Sequence, residues 1–168
     1  MILVAVGTSQ FPFDRLLRAV EDLPGTEPII VQHGPSDIRP VGASCEAFVP
    51  LERFARLVHE ARIVVTHAGV GSILLALANN RKPYVVPRLR AFGETVDDHQ
   101  LESARRFAGA GVVTLVEQPE LLAAAIAEGA SNGSGVPVAP ADGVVPLVEE
   151  LRDYLVAVVG RPSVSVTA

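Results

Sequence analysis

The chain has no tryptophan, one methionine and a single cysteine, Cys45, in 168 residues. One cysteine excludes an intrachain disulfide and a cysteine-based zinc site, and it reads as an ordinary thiol in a reducing cytoplasm. Charge is scarce as well: Asp, Glu, Lys and Arg together make 20% of the chain and leave a formal net charge of -5. A nucleic-acid partner requires a basic face that neutralises phosphates, so this balance argues against one. No apolar run approaches the roughly 20 residues that span a bilayer. Met1 to Val6 is apolar, but it lacks a basic leader and runs straight into a turn. It therefore reads as a first strand and not as an export signal, and the expected location is the cytoplasm.

What is present is apolar: 49% of the residues are hydrophobic, enough for one domain with a real core. Ile2 to Val6 is a continuous apolar run, as in a strand buried on both faces of a parallel sheet. Phe13, Leu16, Leu17 and Val20 follow at helical spacing. Pro28 to Gln32 reads as a second strand and Ala47 to Val49 as a third, before a helix carrying Leu51, Phe54, Leu57 and Val58. Then come strand 63–66, helix 71–80, strand 84–87, helix 98–109, strand 112–116 and helix 119–128. Strands alternating with helices predict an α/β fold, a Rossmann-like parallel sheet sandwiched by helices. Residues 1–128 make the expected ligand-binding domain. Gly129 to Gly143, rich in Gly, Ser, Pro and Ala, reads as a flexible linker. Val144, Leu147, Val148, Leu151, Leu155 and Val158 mark a last helix over 144–160, and 161–168 reads as a disordered tail.

The chemistry gathers between Val64 and Gln100. T-H-A-G-V-G-S (residues 66–72) is a glycine-rich turn between a strand and an apolar helix, and V-D-D-H-Q (96–100) ends the loop after the next strand. In an open parallel sheet both turns leave the carboxyl ends of strands, where ligands bind. Gly69 and Gly71 let backbone approach a ligand, and the helix opening near Ser72 aims free N–H groups at an anion such as a diphosphate. Read alone, the same glycines serve a ligand-free tight connection equally well, and a lone histidine such as His67 is more often structural. It is not a dinucleotide fingerprint, because Leu74 stands at the third glycine position. His67 and His99 lack the short ligand spacing of a metal site, so no metal is expected. Asp97 or Asp98 suits a helix N-cap. Arg88, Arg90 and Glu94 form a charged loop that reads as solvated, with a donor contact open for Arg88.

T-H-A-G-V-G-S, then R-K-P-Y-V-V-P-R, then V-D-D-H-Q resembles the carboxyl-terminal, donor-binding half of family 28 glycosyltransferases, which have the GT-B fold. The opening V-A-V-G-T-S-Q-F-P-F-D-R-L is similar to the start of small donor-binding subunits of two-component transferases. Those include the eukaryotic subunit that adds the second N-acetylglucosamine to dolichol-linked sugar, and bacterial exopolysaccharide subunits. The resemblance runs over roughly residues 1 to 120 in matching order.

The resemblance implies a UDP-sugar as substrate, with no cofactor and no metal. It implies donor contacts from Gly7, Thr8, Phe48, Val49, His67, Ala68, Gly69, Val70, Gly71, Ser72, Arg88, Asp98, His99 and Gln100. Among these, Gly7 and Thr8 would offer backbone to the diphosphate or to the acceptor side, Phe48 and Val49 would flank the uracil, and His99 and Gln100 would read hexose hydroxyls. Plain core packing is an equal reading for Phe48. One departure stands out: relatives carry a glutamate for the ribose hydroxyls where this chain has Leu75. A complete GT-B enzyme has two such domains, so the resemblance implies a half enzyme. It would transfer a hexose with inversion to a lipid-linked or exopolysaccharide acceptor, and only with a membrane-associated acceptor-binding partner that supplies the base and brings it to the inner membrane face. Two alternatives stay open: a non-catalytic nucleotide-sugar-binding regulatory protein, and a self-sufficient single-domain enzyme using His67 or Asp14 as base.

Overall fold

The structure, a computed structural model, describes residues 1–131. Six parallel strands form one sheet in the order β3-β2-β1-β4-β5-β6. They are β1 (Ile2–Ala5), β2 (Ile29–Gln32), β3 (Ala43–Glu46), β4 (Ile63–His67), β5 (Tyr84–Val86) and β6 (Thr114–Leu115). The α-helices are α1 (Asp14–Val20), α2 (Leu51–Glu60), α3 (Val70–Ala78), α4 (His99–Gly109) and α5 (Leu122–Ser131). Short 3-10 turns at Arg90–Phe92 and Pro119–Leu121 precede the last two. This is the doubly wound α/β architecture that the alternation predicts.

Strand periodicity divides the core. Ile2, Val4 and Val6 join Val31, Val65 and Val86 on one face, under Leu16 and Leu17 of α1 and Leu122 and Ile126 of α5. Leu3 and Val64 point to the other face, with Leu57 and Val58 of α2 and Leu75 of α3. Val85 on that same face meets Ile73, Leu74 and Leu77 of α3 and Ala104 of α4. Helix α3 is thus covered almost all round, which is why V-G-S-I-L-L-A-L-A carries no charged residue. Each such fully buried Leu or Ile contributes about 1.5–3 kcal/mol.

Three expectations need correction. The third strand is Ala43–Glu46, not 47–49: A-S-C-E is half-exposed at the sheet edge and shows no apolar run. Ala47 to Val49 instead leads into α2, with Val49 buried and Phe48 64% exposed. The supposedly solvated loop after β5 holds two buried ions, Arg88 and Glu94. Helix α5 extends to Ser131, into the stretch read as linker. The rest of that stretch, the 144–160 helix and the 161–168 tail lie outside the described residues. No described helix is long and apolar enough to cross a membrane.

Candidate functional site

The strand order reverses between β1 and β4: β1 runs on to β2 on one side, and β4 to β5 on the other. Crossovers leave the carboxyl ends of these two strands in opposite directions, which opens a crevice between them. A cavity of about 540 Å³ lies there. Its walls are Ala5 at the end of β1, Gly7 and Thr8 in the turn that follows, Gln32 at the end of β2, Phe48, Val49, Leu51 and Phe54 before and in α2, and six residues from His67 to Leu75.

His67, the last residue of β4, is the centre of the site. A Cβ on Gly7 would overlap its Cε1, and a Cβ on Gly69 would overlap its Nε2. The imidazole therefore lies between two glycine backbones, and both glycines exist to admit it. Gly7 also has φ +83, a conformation side chains resist. Gly69 thus has a packing role beside its place in the cavity wall: its missing side chain makes room for His67. Gly71, by contrast, has nothing within 4 Å of its would-be Cβ and faces open space.

Burial, with a smaller push from the Arg88 charge, holds the His67 pKa down to about 4, against a partial upward pull from the Ala5 carbonyl. The ring is neutral at physiological pH, able to donate from one nitrogen and accept at the other. Thr66 Oγ1 lies 3.4 Å from its Nδ1. Ahead of the first intrahelical bond of α3, from Ile73 N to Gly69 O at 3.2 Å, the amides of Val70, Gly71 and Ser72 open the helix. Gly69 at the N-cap has no side chain to cover them. The Ser72 hydroxyl and a helix N-terminus on one wall make a seat for an anion. The wall formed by Phe48, Val49, Leu51 and Phe54 is apolar.

The cavity thus unites Gly7, Thr8, Phe48, Val49, His67, Gly69, Gly71 and Ser72 from the expected set. Ala68 is buried in the core behind it, and Val70 is 47% exposed outside its lining. Arg88 is elsewhere in role: it is fully buried and its guanidinium donates to four carbonyls. These are Phe11 O at 2.9 Å, Pro12 O at 3.2 Å, Glu94 O at 3.0 Å and Val6 O at 2.8 Å. The group also stacks over the Phe13 ring at 4.7 Å. With those bonds made it ties the β1–α1 turn to the β5–α4 loop, and desolvation lowers its pKa to about 10.

Asp98, His99 and Gln100 do not line the cavity. Asp98 sits at the N-cap of α4, but its Oδ1 accepts from Arg90 N at 2.9 Å, and Asp97 Oδ1 takes the His99 amide at 3.1 Å. The His99 side chain is 81% exposed. Gln100 Oε1 is buried with no hydrogen-bond partner among the described residues. Leu75, the departure from the resembling pattern, lines the cavity with Leu74. Asp14 is outside it. No group of three His, Cys, Asp or Glu gathers to hold a metal among the described residues.

Sequence reasoning passed over Gln32, Leu51, Phe54 and Leu74. Gln32 had a signal available: an amide at the end of a buried strand needs partners, and the neighbouring turn supplies them.

The family model described as the glycosyltransferase family 28 C-terminal domain matches residues 1–141. Among solved structures, the glycosyltransferase of kitacinnamycin is 21% identical with TM-score 0.60, over 95% of this chain and 39% of that one. The calicheamicin glycosyltransferase CalG4 is 17% identical with TM-score 0.57, over 96% of this chain and 40% of that one. MurG of Acinetobacter baumannii is 19% identical with TM-score 0.52, over 94% and 48%. At these identities the likeness is one of fold, and this chain spans less than half the length of each. No curated protein sequence matches it.

Proposed function

The chain belongs to the glycosyltransferase family 28 C-terminal domain family, and from that premise we propose that it is the donor-binding half of a UDP-sugar-dependent hexosyltransferase. One observation carries this reading: the cavity at the β1/β4 switch point joins an anion seat to an apolar wall. The His67 imidazole, the Ser72 hydroxyl and the first α3 amides take the diphosphate. Phe48 and Val49 flank the uracil, with Leu51 and Phe54 behind. His99 and Gln100, at the start of α4, read the hexose. The chain's share of the reaction is to orient the donor and to stabilise the charge that develops on the departing diphosphate. No metal and no further cofactor take part.

The base comes from elsewhere. A His67 with a pKa of about 4 is too weakly basic to take a proton from an acceptor hydroxyl near neutrality. Asp14 does not line the cavity. That weakens the single-domain alternative and favours a second, acceptor-binding subunit; our proposal is that this partner is membrane-associated and holds the chain at the cytoplasmic inner face. The transfer is then an inverting one, to a lipid-linked or exopolysaccharide acceptor. The apolar positions from Val144 to Val159 are the proposed docking element for that partner.

Titration calorimetry with UDP in chelator tests the donor site, and binding is expected. No heat at millimolar UDP would overturn it. Transferase activity from the purified chain alone would overturn the half-enzyme reading. Retained UDP binding with no acceptor subunit to pair with would favour the regulatory alternative.

A further inference from the structure

The Gln32 side chain is buried at 5% exposure, at the carboxyl end of β2 and beneath the cavity. Its carboxamide makes three hydrogen bonds, each 2.9 Å long. Oε1 accepts from Gly7 N, while Nε2 donates to both Gly7 O and Ala47 O. One side chain thus grips both polar backbone groups of a residue in the left-handed region, and fastens that residue to the segment that presents Phe48 and Val49. Arg88 Nη2 holds the other end of the Val6–Gly7 peptide through Val6 O at 2.8 Å. With Gly7 O fixed, peptide planarity also fixes the direction of the Thr8 N–H, and Thr8 lines the cavity.

We propose that Gln32 is a positioning residue for nucleotide binding: its amide sets the two walls of the cavity, the Gly7–Thr8 turn and the Phe48–Val49 segment, at the separation that accepts a nucleoside diphosphate. The inference rests on the reading of the cavity as a nucleotide site. The chemistry requires an amide. A carboxylate keeps the acceptor for Gly7 N–H but loses both donors and sets negative charge against two carbonyl oxygens. A protonated carboxyl regains one donor. Gln32→Glu is therefore a clamp that acid partly restores, and a residue that merely fills space has no such property.

The test measures UDP affinity by calorimetry for the full-length chain and for Gln32→Glu at pH 8 and pH 5. Taking the variant-to-parent ratio cancels the titration of UDP itself and of His67. The expected ratio is a loss of about tenfold or more at pH 8 that shrinks to about threefold or less at pH 5. A folded variant that binds like the parent at pH 8, or a ratio equal at both pH values, would sink the proposal. Gln32→Met supplies a ligand-free check, since it keeps the volume and removes all three bonds. Exchange of the Gly7 amide proton should quicken by about tenfold or more relative to the β4 amides, and unchanged exchange also refutes the clamp. If the parent chain binds no UDP, the nucleotide reading falls and takes this role with it. Binding by the parent with a pH-independent ratio removes the Gln32 role alone.

Discussion

The imidazole of His67 occupies the space that a side chain on Gly69 would need. Two residues apart, they are sterically one unit: the histidine ends the strand, folds back over the turn, and the glycine admits it. The glycine pair of the T-H-A-G-V-G-S turn consequently divides into a packing glycine, Gly69, and an open one, Gly71. Their substitutions should part company.

Gly69→Ala should displace the ring and cost well over 1 kcal/mol of stability, since backbone and imidazole both have to move. Gly71→Ala meets nothing and lies at a helical position, so it should leave stability unchanged or raise it by about 0.5 kcal/mol. Urea denaturation of the two variants without ligand checks the contrast. Equal losses would show that the ring is not lodged as described.

The depressed His67 pKa makes stability depend on pH in one direction. Above pH 6.5 the ring is neutral whether the chain is folded or unfolded, and it contributes no pH dependence. Between its ordinary value of 6.5 and its folded value of about 4, the unfolded chain takes up a proton that the folded chain refuses. Stability should therefore fall as pH drops through this window, by about 3 kcal/mol in all. Comparing denaturation midpoints at pH 7.5 and pH 4.5 for the parent and for His67→Asn isolates the contribution. A slope that survives in the variant belongs to other groups.

Arg88 is predicted to matter for folding before it matters for ligand. Arg88→Met strands the buried carbonyls of Val6 and Glu94 and releases those of Phe11 and Pro12. A loss of about 3 kcal/mol or more is expected from several unsatisfied acceptors. Arg88→Lys should recover part of it, because an ammonium reaches fewer carbonyls than the guanidinium fork. A thermal or urea melt with parent-like stability in Arg88→Met would contradict the role.

Gln100→Ala should weaken a UDP-hexose by roughly 0.5–1.5 kcal/mol while leaving UDP affinity nearly as it was, if the amide reads a sugar hydroxyl. The orphaned Oε1 is the observation behind it. Calorimetry with both ligands decides: equal weakening of the two makes the residue structural.

Deleting residues 143–168 should abolish co-purification with the acceptor subunit while leaving UDP binding intact. The described cavity draws on nothing beyond Leu75, so its walls survive the deletion. A truncated chain that still captures the partner would remove the docking role of Val144–Val159.

The parts of this fold that could be read from sequence were those buried on both sides. I-L-V-A, I-V-V-T and Y-V-V are continuous apolar runs because helices cover both faces of the central strands, and each appears where expected. The edge strand A-S-C-E escaped notice for the converse reason, as one flank is open and the run is polar. Polar residues were misjudged in both directions. Arg88 and Glu94 looked like solvated charge, yet the Glu94 carboxylate takes Arg15 Nε at 3.0 Å and Leu89 N at 2.9 Å inside the protein. Gln32 looked like the end of a strand. Spacing along the chain carries no record of such long-range satisfaction, because the partners of Gln32 and three of the four partners of Arg88 lie in other loops. The glycine turn and Phe48–Val49 were legible through resemblance, while the reason for Gly69 needed coordinates.

The central strand has a consequence for the order of events in folding. Ile2 faces Ile29 on one side and Ile63 on the other. The pairing that opens the crevice is thus among the most distant in sequence, and it waits until both intervening strands and α2 have been traversed. Closing so long a loop is slow, and parallel pairing supplies no hairpin to shorten it. The nascent chain therefore has half a sheet and one bare flank of β1 until β4 arrives, and no place for a nucleotide. Ligand competence thus waits on the β1–β4 pairing, with β5 and β6 still to join the sheet. A nucleotide present during refolding can then hold the finished state but cannot template it.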